Sequence, residues 1–156
     1  PGEPGELAVS TADPGLMLGY QGHTPPDGDW FATGDLVHQG WDGAIHFHGR
    51  ADDMMNPGGI RVSPREVELA LADLPGVTEL AVAEVPAGGS AGGARVIACF
   101  YAGAALPEST AQAFAAERLA RYKQPRRWVH LNALPRGATG KIDRRALAVL
   151  VAKDPT

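Results

Sequence analysis

Gly49-Arg50-Ala51-Asp52-Asp53-Met54-Met55-Asn56-Pro57-Gly58-Gly59-Ile60-Arg61-Val62-Ser63-Pro64-Arg65-Glu66 is the stretch on which the reading of this chain turns. Its last four residues make a capping box. The Ser63 oxygen is placed to accept from the Glu66 N–H, and Pro64 suits the first helical position, where no amide donor is needed. Val67, Ala70, Leu71 and Leu74 follow at i, i+3, i+4 and i+7, and Pro75-Gly76 predicts the stop. Upstream of Gly49 no amphipathic helix can be read. The texture of the chain changes here, so the domain joint is placed at Arg50-Ala51-Asp52-Asp53, with one domain over 1–51 and another over 52–156.

The N-terminal side reads as short strands broken by turns. Leu7-Ala8-Val9-Ser10 is strand-like, and Pro25-Pro26-Asp27-Gly28-Asp29 is a turn cluster. Asp35-Leu36-Val37-His38 and Ala44-Ile45-His46-Phe47-His48 flank Trp41-Asp42-Gly43. An Asp-Gly pair between apolar runs predicts a type I′ hairpin turn, with positive φ at both central residues. Trp30, Phe31, Trp41 and Phe47 are expected in the core of this β region.

On the C-terminal side, strands are predicted over 77–85 and 95–101, with the Gly-rich loop 87–93 between them. A second helix is expected from Ser109, with Gln112 completing another capping box, and is expected to stop before Pro125. A third strand covers 127–131. A last helix begins near Asp143, where Ile142 and Leu147 are placed as a hydrophobic staple. The order βαββαβα predicts an α+β unit of about 100 residues: a small domain with a mixed sheet and three helices, preceded by a remnant of β-barrel.

Composition narrows the function. The chain has 156 residues, a net charge of −4 and 44% apolar residues, a figure raised by alanine and offset by 20 Gly and 13 Pro. A mildly acidic chain without a Lys/Arg stripe is a poor partner for nucleic acid. No apolar run approaches the ~18 residues of a membrane span. No leader opens the sequence, so a cytoplasmic location is expected. Cys99 lies within Val96-Ile97-Ala98-Cys99-Phe100 and is expected to be an inert core thiol. Arg121, Lys123, Arg126 and Arg127 cluster where a helix is expected to end, favourably for its dipole.

Three segments carry composition that packing does not require. Trp30-Phe31-Ala32-Thr33-Gly34-Asp35-Leu36 places a hydroxyl, a glycine and a carboxylate at a strand. An ionised Asp is acceptor-only and suits the paired hydroxyls of a ribose, although it also suits an ordinary turn. The stretch from Gly49 to Val62 sets two carboxylates before a Gly pair and Arg61, either as a ligand site or as a Gly-Gly hairpin. Leu134-Pro135-Arg136-Gly137-Ala138-Thr139-Gly140-Lys141-Ile142 delivers one lysine on a loop. This is no P-loop, because Pro135 stands where Gly is required and Ile142 replaces the Mg²⁺-binding Ser/Thr. His38, His46 and His48 share a hairpin face, but no Cys or second carboxylate converges on them, so no metal site is expected.

Taken together and in order, Thr33-Gly34-Asp35, Gly49-Arg50-x-Asp52-Asp53 running into Gly58-Gly59-x-Arg61-Val62-x-Pro64-x-Glu66-Val67-Glu68, and Pro135-x4-Gly140-Lys141 resemble the C-terminal portion of the adenylate-forming superfamily. That superfamily comprises acyl- and aryl-CoA synthetases, nonribosomal-peptide adenylation domains and luciferases. The Gly5-Glu6-Leu7 start and the Gly19-Tyr20 pair are similar to its sequence just upstream. Asn56 stands where luciferases carry Lys, which turns the reading away from luciferases.

The resemblance implies an acid–CoA ligase that activates a small carboxylic acid with ATP as an acyl-adenylate and passes the acyl group to CoA. A mobile C-terminal domain would swivel between the two half-reactions. It implies Lys141 as the catalytic residue, reaching the α-phosphate and the carboxylate. Asp35 would hold the ribose hydroxyls, with Thr33 and Arg50 beside it and Arg61 facing phosphate. Asp52 would be the hinge, and Gly58 and Gly59 would line the pantetheine path. Mg²⁺ would be bound mainly by the large N-terminal domain, which also carries the phosphate loop and acyl pocket, so the chain alone is expected to be inactive. Two alternatives are an adenylation enzyme loading a carrier protein and a non-catalytic interaction module.

Overall fold

The computed structural model describes residues 2–16, 28–88 and 93–153. The expected turn residues 25–27, the Gly19-Tyr20 pair and the middle of the 87–93 loop lie outside the described residues. The chain divides into two compact units, Pro1–Asp53 and Met54–Thr156.

In the first unit, β1 (Gly5–Ser10), β2 (Trp30–Gln39) and β3 (Ile45–Arg50) form an antiparallel sheet in the order β1-β2-β3. The described residues form an open meander, with no barrel closed among them. The β2–β3 connection corrects the type I′ expectation. Gly43 has φ +81°, but no non-glycine among the described residues has positive φ, so Asp42 does not. The turn spreads over residues 40–44 instead: the Gly43 N–H donates to the Gly40 carbonyl at 3.0 Å, and the Gly40 N–H to the Ala44 carbonyl at 2.8 Å. A second irregularity lies along β3. Leu36 pairs with Gly49 and Val37 with Phe47, leaving His48 as the extra residue of a β-bulge. The expected aromatic core is also corrected. Trp30 is 66% exposed, Trp41 90% and Phe47 48%, because among the described residues of this unit the single sheet has no second layer to cover them.

In the second unit the capping box forms. Ser63 Oγ accepts from the Glu66 N–H at 3.4 Å, opening α1 (Pro64–Leu71). The helix ends at Leu71, before the expected Leu74, which nevertheless is buried. The first strand of the expected βαββαβα order shrinks to a single bridge between Met55 and Val62. β4 (Val77–Pro86) pairs antiparallel with β5 (Arg95–Gly103), and β5 pairs parallel with β6 (Arg127–His130). The parallel step needs a crossover, and α2 (Glu108–Arg118) supplies it. α3 (Arg144–Lys153) closes the described chain.

Alternation along the strands feeds two cores. Val82, Ile97 and Cys99 face Val67 and Leu71 of α1 and Ala115 of α2. Ala81, Ala83, Val85, Ala98 and Phe100 face Leu147 and Val151 of α3. With both faces covered, β4 and β5 read as nearly continuous apolar runs. Fully burying a Phe100 or Leu147 stabilises the fold by roughly 1.5–3 kcal/mol each.

The end of α2 differs from the sequence reading. Pro107 precedes the first turn, which puts Ser109 inside the helix, and Gln112 bonds the Glu108 carboxylate at 2.7 Å. No side chain caps this helix. Arg121, Lys123, Arg126 and Arg127 lie beyond its last turn, where a dipole effect has faded, and Lys123 pairs with Glu66 of α1. At α3 the expectation holds: Asp143 Oδ1 accepts from the Ala146 N–H at 3.0 Å, and Ile142 packs on the cluster containing Leu147.

Glu68 ties three elements together. Its carboxylate takes both 2.8 Å and 3.0 Å bonds from Arg144 Nη2 at the start of α3, and it also accepts from the Val82 N–H at 3.0 Å. That amide points outward from β4, an edge of the sheet, so Glu68 also blunts an exposed ladder. Glu68→Ala is expected to lower the stability of this unit by about 1–3 kcal/mol, read from denaturant midpoints; wild-type midpoints would contradict the role.

Cys99 is buried. Burial, with a smaller push from the Glu68 carboxylate, raises its thiol to about 12. In the unfolded chain the thiol ionises near its ordinary value, so this group removes stability as pH rises from about 9 towards 12. At pH 8 the native thiol is expected to resist a disulfide reagent and to react only on unfolding. Labelling at the denatured rate would contradict its burial.

Candidate functional site

Four of the singled-out residues meet at the Arg50 end of the β2–β3 ladder. Asp35 and Arg50 are register partners across the two strands. Arg50 Nη1 donates to the Thr33 carbonyl at 2.8 Å and to Asp35 Oδ1 at 3.2 Å, while Nε reaches Asp52 Oδ1 at 3.2 Å. The bond to Asp52, ahead of that to Asp35, holds the Arg50 pKa above its ordinary value. Thr33 Oγ1 donates to the Leu7 carbonyl and accepts from the Asp35 N–H, fixing the backbone that carries the carboxylate. Asp35 Oδ2 has no partner among the described residues and its side chain is partly exposed. A carboxylate oriented by one arginine contact, with its other oxygen open, can accept from a ligand hydroxyl.

Gly34 makes this arrangement possible. Its φ is +77°, and a Cβ there would lie 2.7 Å from Arg50 Nη2 and 3.0 Å from Cζ. The absent side chain lets the guanidinium lie across β2.

The histidines sit further along the same hairpin. His38 Nδ1 is 2.6 Å from His48 Nε2, and the His38 ring stacks on His46 with centroids 4.7 Å apart. Partial desolvation, then the charges of His46 and His48, hold His38 below its ordinary value. Among the described residues no cluster of three His, Cys, Asp or Glu is arranged to hold a metal ion.

The remaining candidates lie in the second unit, on two separate loops. Gly58 (φ +63°) and Gly59 (φ +87°) form a short 3₁₀ turn at Pro57–Gly59. An added Cβ at either would meet nothing within 4 Å. Arg61 follows, exposed and without an ion pair among the described residues. Beside this turn is a cleft of about 310 Å³ lined by Pro57, Gly58, Ile60, Val96, Tyr122 and Arg126. Lys141 lies on the other loop, between β6 and α3. It is exposed, and its ammonium has no partner among the described residues. No hydrogen bond or ion pair joins it to the Gly58–Arg61 turn among the described residues. The sequence does not single out Arg136, whose side chain bonds the Gly140 carbonyl of this loop, since nothing in the residues around it announces its other partner, Glu79, 57 positions away.

Gly34→Ala is expected to cost about 1–2 kcal/mol in backbone strain alone and to push Arg50 off the Thr33 carbonyl. Thermal unfolding together with the NMR resonance of the Arg50 Nε–H checks both. Unchanged stability and an unchanged resonance would contradict the steric account.

No helix among the described residues is long and apolar enough to cross a membrane. No protein-family profile matches the chain. Curated proteins do. The chain is 41% identical over 147 residues to an L-proline–[L-prolyl-carrier protein] ligase of Pseudomonas fluorescens, covering 94% of this chain and 29% of the relative. It is 34% identical over 158 residues to a 2-succinylbenzoate–CoA ligase of Geobacillus kaustophilus, covering 98% and 32%. Among solved structures, the o-succinylbenzoate CoA synthetase of Bacillus subtilis with its acyl-adenylate intermediate superposes with a TM-score of 0.82 at 28% identity, over 94% of this chain and 31% of that one. The chain thus spans about a third of the length of these relatives. Sequence and fold agree: the chain belongs to the adenylate-forming ligase superfamily, and it matches the C-terminal portion of those enzymes.

Proposed function

We propose that this chain is the C-terminal part of an ATP-dependent acid–CoA ligase, which joins a carboxylic acid to AMP and then transfers the acyl group to the CoA thiol. The observation that carries the reading is the Thr33–Asp35–Arg50–Asp52 cluster, a fixed carboxylate with one open oxygen beside a guanidinium. In the first half-reaction a carboxylate oxygen attacks the α-phosphorus of ATP and the bond to pyrophosphate breaks. Asp35 accepts from the ribose hydroxyls, which orients the nucleotide, and the Arg50 contact holds its carboxylate in place. Lys141, whose ammonium is uncommitted, lies between the α-phosphate and the incoming carboxylate and offsets the charge that builds there. Mg²⁺ would be held mainly by the N-terminal part of the enzyme, where it would supply charge neutralisation for the phosphates.

The second half-reaction requires a different set of residues. Gly58 and Gly59 line the route of the pantetheine arm, where an open turn leaves room for a thin chain, and Arg61 faces a phosphate. Asp52 is the hinge between the poses. The division of the chain between Asp53 and Met54 supports that position, as does the preference of hinges for element ends. The domains we assign are therefore 1–51, the end of the large N-terminal domain, and 52–156, the mobile domain. The likeness to a prolyl-carrier-protein ligase supports a second reading, in which the acceptor thiol belongs to a carrier protein.

Acid-dependent exchange of pyrophosphate into ATP by the full-length polypeptide, with CoA consumption followed in parallel, is the test. Exchange together with CoA consumption is expected, and exchange without it would favour the carrier protein. No exchange across a broad acid panel would contradict both readings and favour an interaction module. Lys141→Ala is expected to slow adenylation by about 10²–10³-fold while sparing thioester formation from supplied acyl-adenylate. An equal loss in both half-reactions would contradict the two-pose assignment.

A further inference from the structure

We propose that Arg136 is a positioning residue for Lys141, acting through the Gly140 carbonyl; the inference rests on the adenylation role of Lys141 given above. The loop from Pro135 to Ile142 is closed at its neck by backbone. Arg136 and Ile142 form an antiparallel bridge, the Gly137 N–H donates to the Lys141 carbonyl at 2.8 Å, and the Asp143 N–H donates to the Pro135 carbonyl at 2.9 Å. The tip turns through Gly140, at φ +77°, whose N–H donates to the Gly137 carbonyl at 2.9 Å.

Arg136 adds a side-chain brace across this turn. Nη1 donates to the Gly140 carbonyl at 2.8 Å, and Nη2 forms an ion pair with Glu79 of β4. One planar group therefore grips the sheet with one arm and the loop tip with the other. The Gly140 carbonyl and the Lys141 N–H belong to one planar peptide unit. Holding that oxygen fixes the plane from which the Lys141 side chain departs. The Lys141 ammonium has no partner among the described residues, so its flexible four-carbon stem is directed by the backbone it leaves, held on one side by the Gly137 bond to its carbonyl and on the other by this plane. Arginine suits the task because its fork is rigid and makes two bonds at a set angle, whereas lysine is a point charge on a flexible chain.

The alternative is that the pair with Glu79 merely stabilises the fold. The Arg136 side chain is 51% exposed and that of Glu79 32%, and ion pairs this open to solvent contribute little to stability. The two roles therefore predict different experiments. A positioning role lowers the rate of one half-reaction and vanishes when Lys141 is absent, and a stabilising role does neither.

Arg136→Met and Arg136→Lys are made in the full-length polypeptide, each with and without Lys141→Ala, and both half-reactions are timed by single turnover. Arg136→Met is expected to slow adenylation by about 10–100-fold, the scale of a small misplacement of a reacting group. KM for ATP, thioester formation from supplied acyl-adenylate and the melting temperature are expected to be unchanged. Arg136→Lys is expected to fall between wild type and Arg136→Met. In the Lys141→Ala background Arg136→Met is expected to add no further loss, because the two residues act as one unit. Wild-type adenylation in Arg136→Met, or the same loss with and without Lys141, would overturn the inference. If Lys141→Ala itself leaves adenylation intact, the assignment of Lys141 fails and the inference with it. A Lys141-sensitive, Arg136-insensitive enzyme overturns this inference alone.

Discussion

The Arg50 guanidinium is the constraint on which the first unit is organised. It spans from β3 to the Thr33 carbonyl and Asp35 on β2, and reaches Asp52 just past the end of β3. Each contact depends on a feature of the chain beneath it. The missing side chain at Gly34 admits the guanidinium, and Thr33 Oγ1 fixes the turn of backbone carrying Asp35. The bulge at His48 resets the strand register so that Asp35 and Arg50 fall opposite each other. The half-open Asp35 carboxylate and the segment leading to the second unit thus share a single cation. In the account developed above, these are the ribose contact and the hinge.

The second unit solves a different problem, which is to present loops from a rigid body. Its mixed sheet is covered on both faces, and Glu68 joins α1, β4 and α3 through one carboxylate. The Gly58–Gly59 turn and the Lys141 loop both project from this body. Neither loop is apolar, and each is held by backbone bonds at its base. Fixed bases with open tips suit residues that must meet a ligand while the body behind them moves as a unit.

Local signals were legible in the sequence, and pairings at long range were not. The Ser63 cap, the helix start at Asp143 with its staple, and the two apolar strands with Cys99 buried in the second follow from local sequence, whereas which residues of those strands face which core does not. Ser109 misled because Pro107 starts α2 earlier, and Asp42-Gly43 misled because the turn uses five residues instead of two. Trp30 and Trp41 look like core residues by type, but exposure depends on which layers the unit contains. Within the candidate site, Thr33, Asp35, Arg50, Asp52 and Lys141 could be named from their ordered motifs. The partners Glu68–Arg144 and Arg136–Glu79 could not, because 76 and 57 positions separate them and no periodicity links them.

The central claim is that the open oxygen of Asp35 receives a ribose hydroxyl. Steady-state kinetics of the full-length polypeptide with ATP and with 2′-deoxy-ATP, in wild type and Asp35→Ala, test it most directly. A hydrogen bond to a charged group is worth about 1.5–3 kcal/mol, so wild type should favour ATP by roughly 10–100-fold in kcat/KM, and Asp35→Ala should treat the two nucleotides nearly alike. Discrimination that survives intact in Asp35→Ala would contradict the account.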